Sequence, residues 1–158
     1  MAACRAYENF VRDVFLLYCI DTPTLTGKAP RSYLRARDFV HAEIMIQSAM
    51  PFLDWSSVEA VIERAEIYLR NGFLFKQVLS ANLVRATELR RLRNHIAHNS
   101  KESRTQYIKV LQGTLPTLPL SIPKPGEFLL MPDRRTNGLQ FLETYLSYLD
   151  TLAVGLTG

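Results

Sequence analysis

The sequence has little of what most specialised protein chemistry draws on. Only two cysteines occur in 158 residues, Cys4 and Cys19. They fall 15 positions apart on one predicted helix, about 22 Å at helical rise, too far for a bond within that helix. Neither belongs to a Cys-x-x-Cys pair, so a cysteine metal site is not expected, and both read as free thiols in a reducing compartment. No apolar run reaches about 18 residues, so no membrane-spanning helix is expected. The opening Met1-Ala2-Ala3-Cys4-Arg5 lacks the basic-then-apolar order of a signal peptide. The expected location is therefore cytoplasmic. Histidine is scarce too: His41, His95 and His98 are the full set. His41 has no partner at ligand spacing, and His95–His98 lacks the neighbouring acid of a His-Glu-x-x-His site. Neither a metal nor a cofactor is expected, and His41 reads as structural.

What is present is an ordinary globular composition with one unusual stretch. Hydrophobic residues make up 47% and charged residues 22%, enough for a single core in one domain over 1–158. The net charge is +4. Residues 85–104 hold Arg85, Arg90, Arg91, Arg93, Lys101 and Arg104 against only Glu88 and Glu102, an excess equal to that of the whole chain. A positive field is thus expected around this stretch, as where a polyanion docks. Within it lies Arg90-Arg91-Leu92-Arg93-Asn94-His95-Ile96-Ala97-His98-Asn99, with three arginines, two histidines and two asparagines.

Helical periodicity runs through the chain. Tyr7, Phe10, Val11, Val14 and Tyr18 recur at three and four, which predicts a helix over 5–20. Ser32 is a candidate N-cap for a second helix over 33–49, stopped by Pro51. Asp54 or Ser56 can cap a third helix to Arg70, closed by Asn71-Gly72. Phe73–Leu79 reads as a short helix. The motif helix begins near Leu83 behind Asn82 or Ser80, with Leu89, Leu92 and Ile96 as its core stripe. Glu102–Leu111 predicts another short helix. Five prolines within 114–132 predict an ordered loop with a short hairpin around Gly126. A last helix is expected over 137–154, with Leu139, Leu142, Tyr145, Leu146, Leu149, Leu152 and Ala153 inward. The expected class is all-α: an up-and-down bundle of four long helices and one or two short ones. Tyr7, Tyr18 and Trp55 read as core aromatics, and Arg134-Arg135 as surface charge.

At about 100° per residue, Arg91, Asn94, His95 and His98 share one polar face, extended backwards by Thr87 and Glu88. Arg93 lies about 140° from His98, so on a straight helix the two cannot touch side by side. Either the helix loosens near Ala97–Asn99, or the two meet through a second copy of the chain. The residue types suit RNA cleavage. A histidine can move a proton near neutral pH. An arginine can grip a phosphate with two prongs and stabilise charge growing on it. RNA supplies its own nucleophile in the 2′-hydroxyl, so no metal is needed.

Arg93-Asn94-His95-Ile96-Ala97-His98 resembles the motif of the HEPN superfamily, an arginine, usually a polar residue, and a histidine after four to six intervening positions. Arg5-Ala6-Tyr7-Glu8-Asn9-Phe10-Val11 is also similar to the first helix of the RiboL-PSP-like branch. The resemblance implies a HEPN-like helical bundle. It also implies a metal-independent endoribonuclease leaving a 2′,3′-cyclic phosphate and a 5′-hydroxyl. By that match Arg93 and His98 would be catalytic with Asn94 in support; His95 falls at a variable position of the motif, and it is the local charge and polar face that make Arg90, Arg91 and His95 expected substrate contacts. A homodimer with a composite cleft is implied, as is a toxin or phage-defence role with a cognate antitoxin or regulatory partner. The competing expectation is a helical module without activity that binds a protein or RNA through its basic face.

Overall fold

The computed structural model describes residues 2–50 and 53–158, and among these the regular structure is entirely α-helical apart from one 3-10 turn. The helices are α1 (Ala2–Cys19), α2 (Phe39–Ala49), α3 (Val58–Tyr68), α4 (Phe73–Ser80), α5 (Leu83–His98), α6 (Lys101–Thr114), α7 (Pro125–Leu129) and α8 (Phe141–Thr157). None of the described helices is long and apolar enough to cross a membrane.

Helix boundaries follow capping chemistry, and several differ from the periodicity. The second helix starts at Phe39 because Asp38, not Ser32, caps it, accepting from the His41 N–H at 2.8 Å. Residues Arg31 to Tyr33 instead pair with the end of α3. The Tyr33 N–H donates to the Tyr68 carbonyl, and the Arg70 N–H to the Arg31 carbonyl, both at 2.8 Å. The expected stop at Pro51 lies outside the described residues. Ser57 caps α3 through the Ala60 N–H. Asn71 and Gly72, at φ 57° and 69°, reverse the chain into α4. Asn82, as expected, is the N-cap residue of α5, but its side chain does not cap: the amide donates to the Val78 carbonyl at 2.7 Å instead.

Among the described residues the chain buries two apolar clusters rather than one. In the first, Phe15 from α1 meets Trp55, Tyr68 and Phe75 at ring separations of 5.3, 6.4 and 5.4 Å. Such pairs contribute about 1 kcal/mol each beyond their burial. The second joins Leu92, Tyr107, Val110, Leu111, Phe128, Phe141 and Tyr145 from α5, α6, α7 and α8. Helices α5 and α8 run through both clusters. This is why α8 buries Phe141, Tyr145, Tyr148, Leu152 and Leu156, while the expected inward leucines 139, 142 and 146 stay 39–44% exposed.

The short helix expected over 102–111 is the 14-residue α6, because Ser100 caps it from the Ser103 N–H at 3.1 Å and Gly113 continues it. The proline-rich segment carries α7, with Pro125 in its first turn. The anticipated hairpin around Gly126 is absent. A small one closes instead around Gly138, where Pro132 bridges Gln140.

Candidate active site

Helix α5 carries the motif and stays helical through His98. The Asn99 N–H still reaches the His95 carbonyl at 3.0 Å, and Asn99 then takes the left-handed conformation at φ 43°. Ser100 at once caps α6, so α5 and α6 form a tight helical hairpin with the motif at its bend. The loosening near Ala97–Asn99 does not occur.

Arg93, Asn94 and His98 nonetheless border one open cleft of about 680 Å³. Its other walls come from α1 (Glu8, Asn9, Arg12), α2 (Glu43, Gln47) and the segment Leu53–Ser56, over a floor of Leu16 and Ile46. The cleft is wide enough for residues 140° apart to reach it from either flank of α5 within a single chain. Arg93 is half-buried and held from two sides. Its Nη1 donates to Asn94 Oδ1 at 3.0 Å. Its Nε and Nη2 face the two carboxylate oxygens of Glu8, each at 3.3 Å. Asn94 and Glu8 thus set the plane of the guanidinium. His98 is exposed at the rim.

Arg90 and Arg91 sit beside this cleft rather than in it. Both line an adjoining hollow of about 430 Å³ that shares Asn94 and His98 with the first. Arg90 Nη2 donates to Asp54 Oδ2 at 2.8 Å and so ties the wall of the cleft to α5. Burial alone would raise the Asp54 carboxyl. Hydrogen bonds from Ser56 and Arg90 outweigh that and hold it below the usual carboxylate range.

The positive field expected from residues 85–104 is not concentrated here. Arg93 and Arg90 are paired with acids, and the cleft is lined by Glu8, Glu43 and Asp54 against Arg12 and Arg93. Among the described residues Arg91 forms no ion pair.

His95 and Glu88, expected on the polar face, are buried at 8% and 7% exposure, whereas Ile96 of the expected core stripe is 39% exposed. The His95 ring stacks on Tyr107 at 4.9 Å, its Nδ1 3.2 Å from Ser103 Oγ. Glu88 accepts from both Nη1 contacts of Arg135, at 2.9 and 3.0 Å. Arg135 lies at the surface, as expected, and is also a structural cation: its Nε and Nη2 bind Asp133, which is fully buried. The periodicity misplaced α5 because the second cluster recruits a polar flank of that helix.

Tyr18 is a core residue, as expected. Trp55 is only half-buried, packing on Phe15 beneath the Arg64 guanidinium and edging the cleft. His41 accepts from the Arg37 N–H at 3.1 Å, a structural role.

Compared with known protein families, curated proteins and solved structures, the chain matches none. The functional reading therefore stands on the geometry and on the motif. Sequence reasoning missed Glu8, Arg12, Glu43, Gln47 and Asp54 as cleft residues. Glu8 carried no distinguishing local signal, since α1 also holds Arg5, Asn9, Arg12 and Asp13.

Proposed function

We propose that the chain is a metal-independent endoribonuclease of HEPN type, with Arg93, Asn94 and His98 as its catalytic set. The observation that carries this reading is that these three residues line one open cleft, with the Arg93 guanidinium oriented by hydrogen bonds. In the reaction His98 takes the proton of a 2′-hydroxyl, and the 2′-oxygen attacks the adjacent phosphorus. The bond to the 5′-oxygen breaks, and that oxygen leaves with a proton from solvent. The products are a 2′,3′-cyclic phosphate and a 5′-hydroxyl. Arg93 binds the phosphate and stabilises the charge that grows on its oxygens. Asn94 is a positioning residue. Arg91, which forms no ion pair among the described residues, serves the flanking phosphates through the adjoining hollow.

A second copy belongs to the same reading. Ile96, Leu142 and Leu146 edge an apolar groove between α5 and α8 and are 39–43% exposed, which supports association through that side. A toxin or defence role, held in check by a cognate partner, is the biological form of the proposal.

A second reading is favoured by one observation: Glu8 already occupies one fork of Arg93, and carboxylates outnumber cations around the cleft. A module that binds a protein partner without cutting would fit that balance, since excess carboxylate repels RNA.

The test is incubation of purified protein with total RNA in EDTA, beside His98→Ala. New ends bearing cyclic phosphate in the native protein alone are expected. RNA left intact by the folded protein would sustain the second reading.

A further inference from the structure

The C-terminal end of α5 borders another concavity, of about 470 Å³, lined by His95, Tyr107, Arg104, Lys124, Ile122 and Pro123. None of its lining residues carries a carboxylate. Glu127, an acid close to Tyr107, is engaged with the Lys124 backbone N–H at 2.8 Å at the start of α7.

The hydrogen bonds fix the tautomer of His95. Ser103 Oγ has one proton and donates it to the Ser100 carbonyl at 2.9 Å. It therefore accepts from His95 Nδ1–H at 3.2 Å. The lone pair of the neutral ring is then on Nε2, which has no protein partner among the described residues. Burial, with the Arg104 charge added, favours the neutral ring. A neutral acceptor repels an unprotonated phosphate oxygen and welcomes an N–H. Arg104 and Lys124 do the reverse.

We propose that this pocket binds one nucleoside monophosphate unit of an RNA chain. Its phosphate lies on Arg104 and Lys124, an N–H of its base edge donates to His95 Nε2, and its base packs on Ile122 and Pro123. Asn99 lines this pocket and His98 the catalytic cleft. Their Cα atoms are successive, about 3.8 Å apart. The pocket and the cleft thus both open at the C-terminal end of α5. The choice of RNA as the source rests on the function proposed above; the recognition chemistry does not.

The experiment uses the His98→Ala protein in EDTA, so binding is read without cutting. Three probes are titrated: a short fluorescent single-stranded oligoribonucleotide, uridine monophosphate and ribose 5-phosphate. Arg104→Gln with Lys124→Gln should weaken the oligoribonucleotide about tenfold or more and flatten its salt dependence. His95→Phe keeps the stack on Tyr107 and should reduce the preference for uridine monophosphate over ribose 5-phosphate, with folding checked by thermal melting. Arg93→Ala should leave this preference intact, which separates the pocket from the nuclease reading. Unchanged binding in the Arg104/Lys124 variant would overturn the site whether or not His95→Phe folds. Uridine monophosphate that binds but is not displaced by the oligoribonucleotide would overturn RNA as its source.

Discussion

Glu8 reaches from α1 to α5 and holds Arg93 at two points, Oε1 to Nε and Oε2 to Nη2, both at 3.3 Å. A carboxylate in that position resembles the phosphate that the same fork would bind, so it both orients the guanidinium and competes for it. On the proposed reading, Glu8→Gln releases the competition and loosens the orientation. KM for RNA should fall several-fold and kcat about tenfold. Steady-state cleavage kinetics check this, and a variant unchanged in both would remove Glu8 from the site.

Because Arg93 and His98 border one cleft in one chain, two damaged copies should not repair each other. Co-expressed Arg93→Ala and His98→Ala chains, purified together, are expected to show no more cleavage than either alone. Recovery toward a quarter or half of native activity would show instead that the working cleft is shared between copies.

Arg135 binds Glu88 and Asp133 together, and those carboxylates are 7% and 0% exposed. Removing it leaves both buried without an ion-pair partner. Arg135→Ala should destabilise by about 3 kcal/mol or more, lowering Tm by about 10 °C. The native pair also sets an acid limit. Burial would raise the Asp133 carboxyl, but the hydrogen bonds and charge of Arg135 prevail and lower it. Its stabilisation is thus complete above the unfolded value of about pH 3.9 and is lost as pH falls through the lower folded value. Melting curves across that range provide the check.

His95 behaves in the same sense for a different reason. Burial, and then Arg104, lowers its affinity for a proton in the fold. The unfolded chain binds that proton first, so stability declines as pH falls below the unfolded value of about 6.5. The native protein should lose Tm between about pH 7 and 5.5, and His95→Phe should lose less over the same interval.

The helical class, the motif helix, the breaks at Asn71-Gly72 and Asn99-Ser100 and the core role of Tyr18 were all readable from spacing and turn chemistry. These are local properties: a left-handed residue or a 3.6-residue period shows in a few consecutive letters. The start of α2 was not readable, since Ser32 and Asp38 are both good caps. The choice fell to Asp38 because Arg31–Tyr33 pair with Tyr68–Arg70, 35 or more positions away.

The candidate site divides along the same line. The sequence by itself determined that Arg93, Asn94 and His98 occupy one helix end, and that Arg93 and His98 point to different flanks of it. Only the tertiary structure decided that α1, α2 and the Leu53–Ser56 segment enclose both flanks in one cleft, that Glu8 meets Arg93, and that His95 is packed on Tyr107 rather than left on the polar face. The reason is physical. Periodicity says which residues share a face, but which face is buried depends on where the second apolar cluster forms, and its members lie on four separate helices.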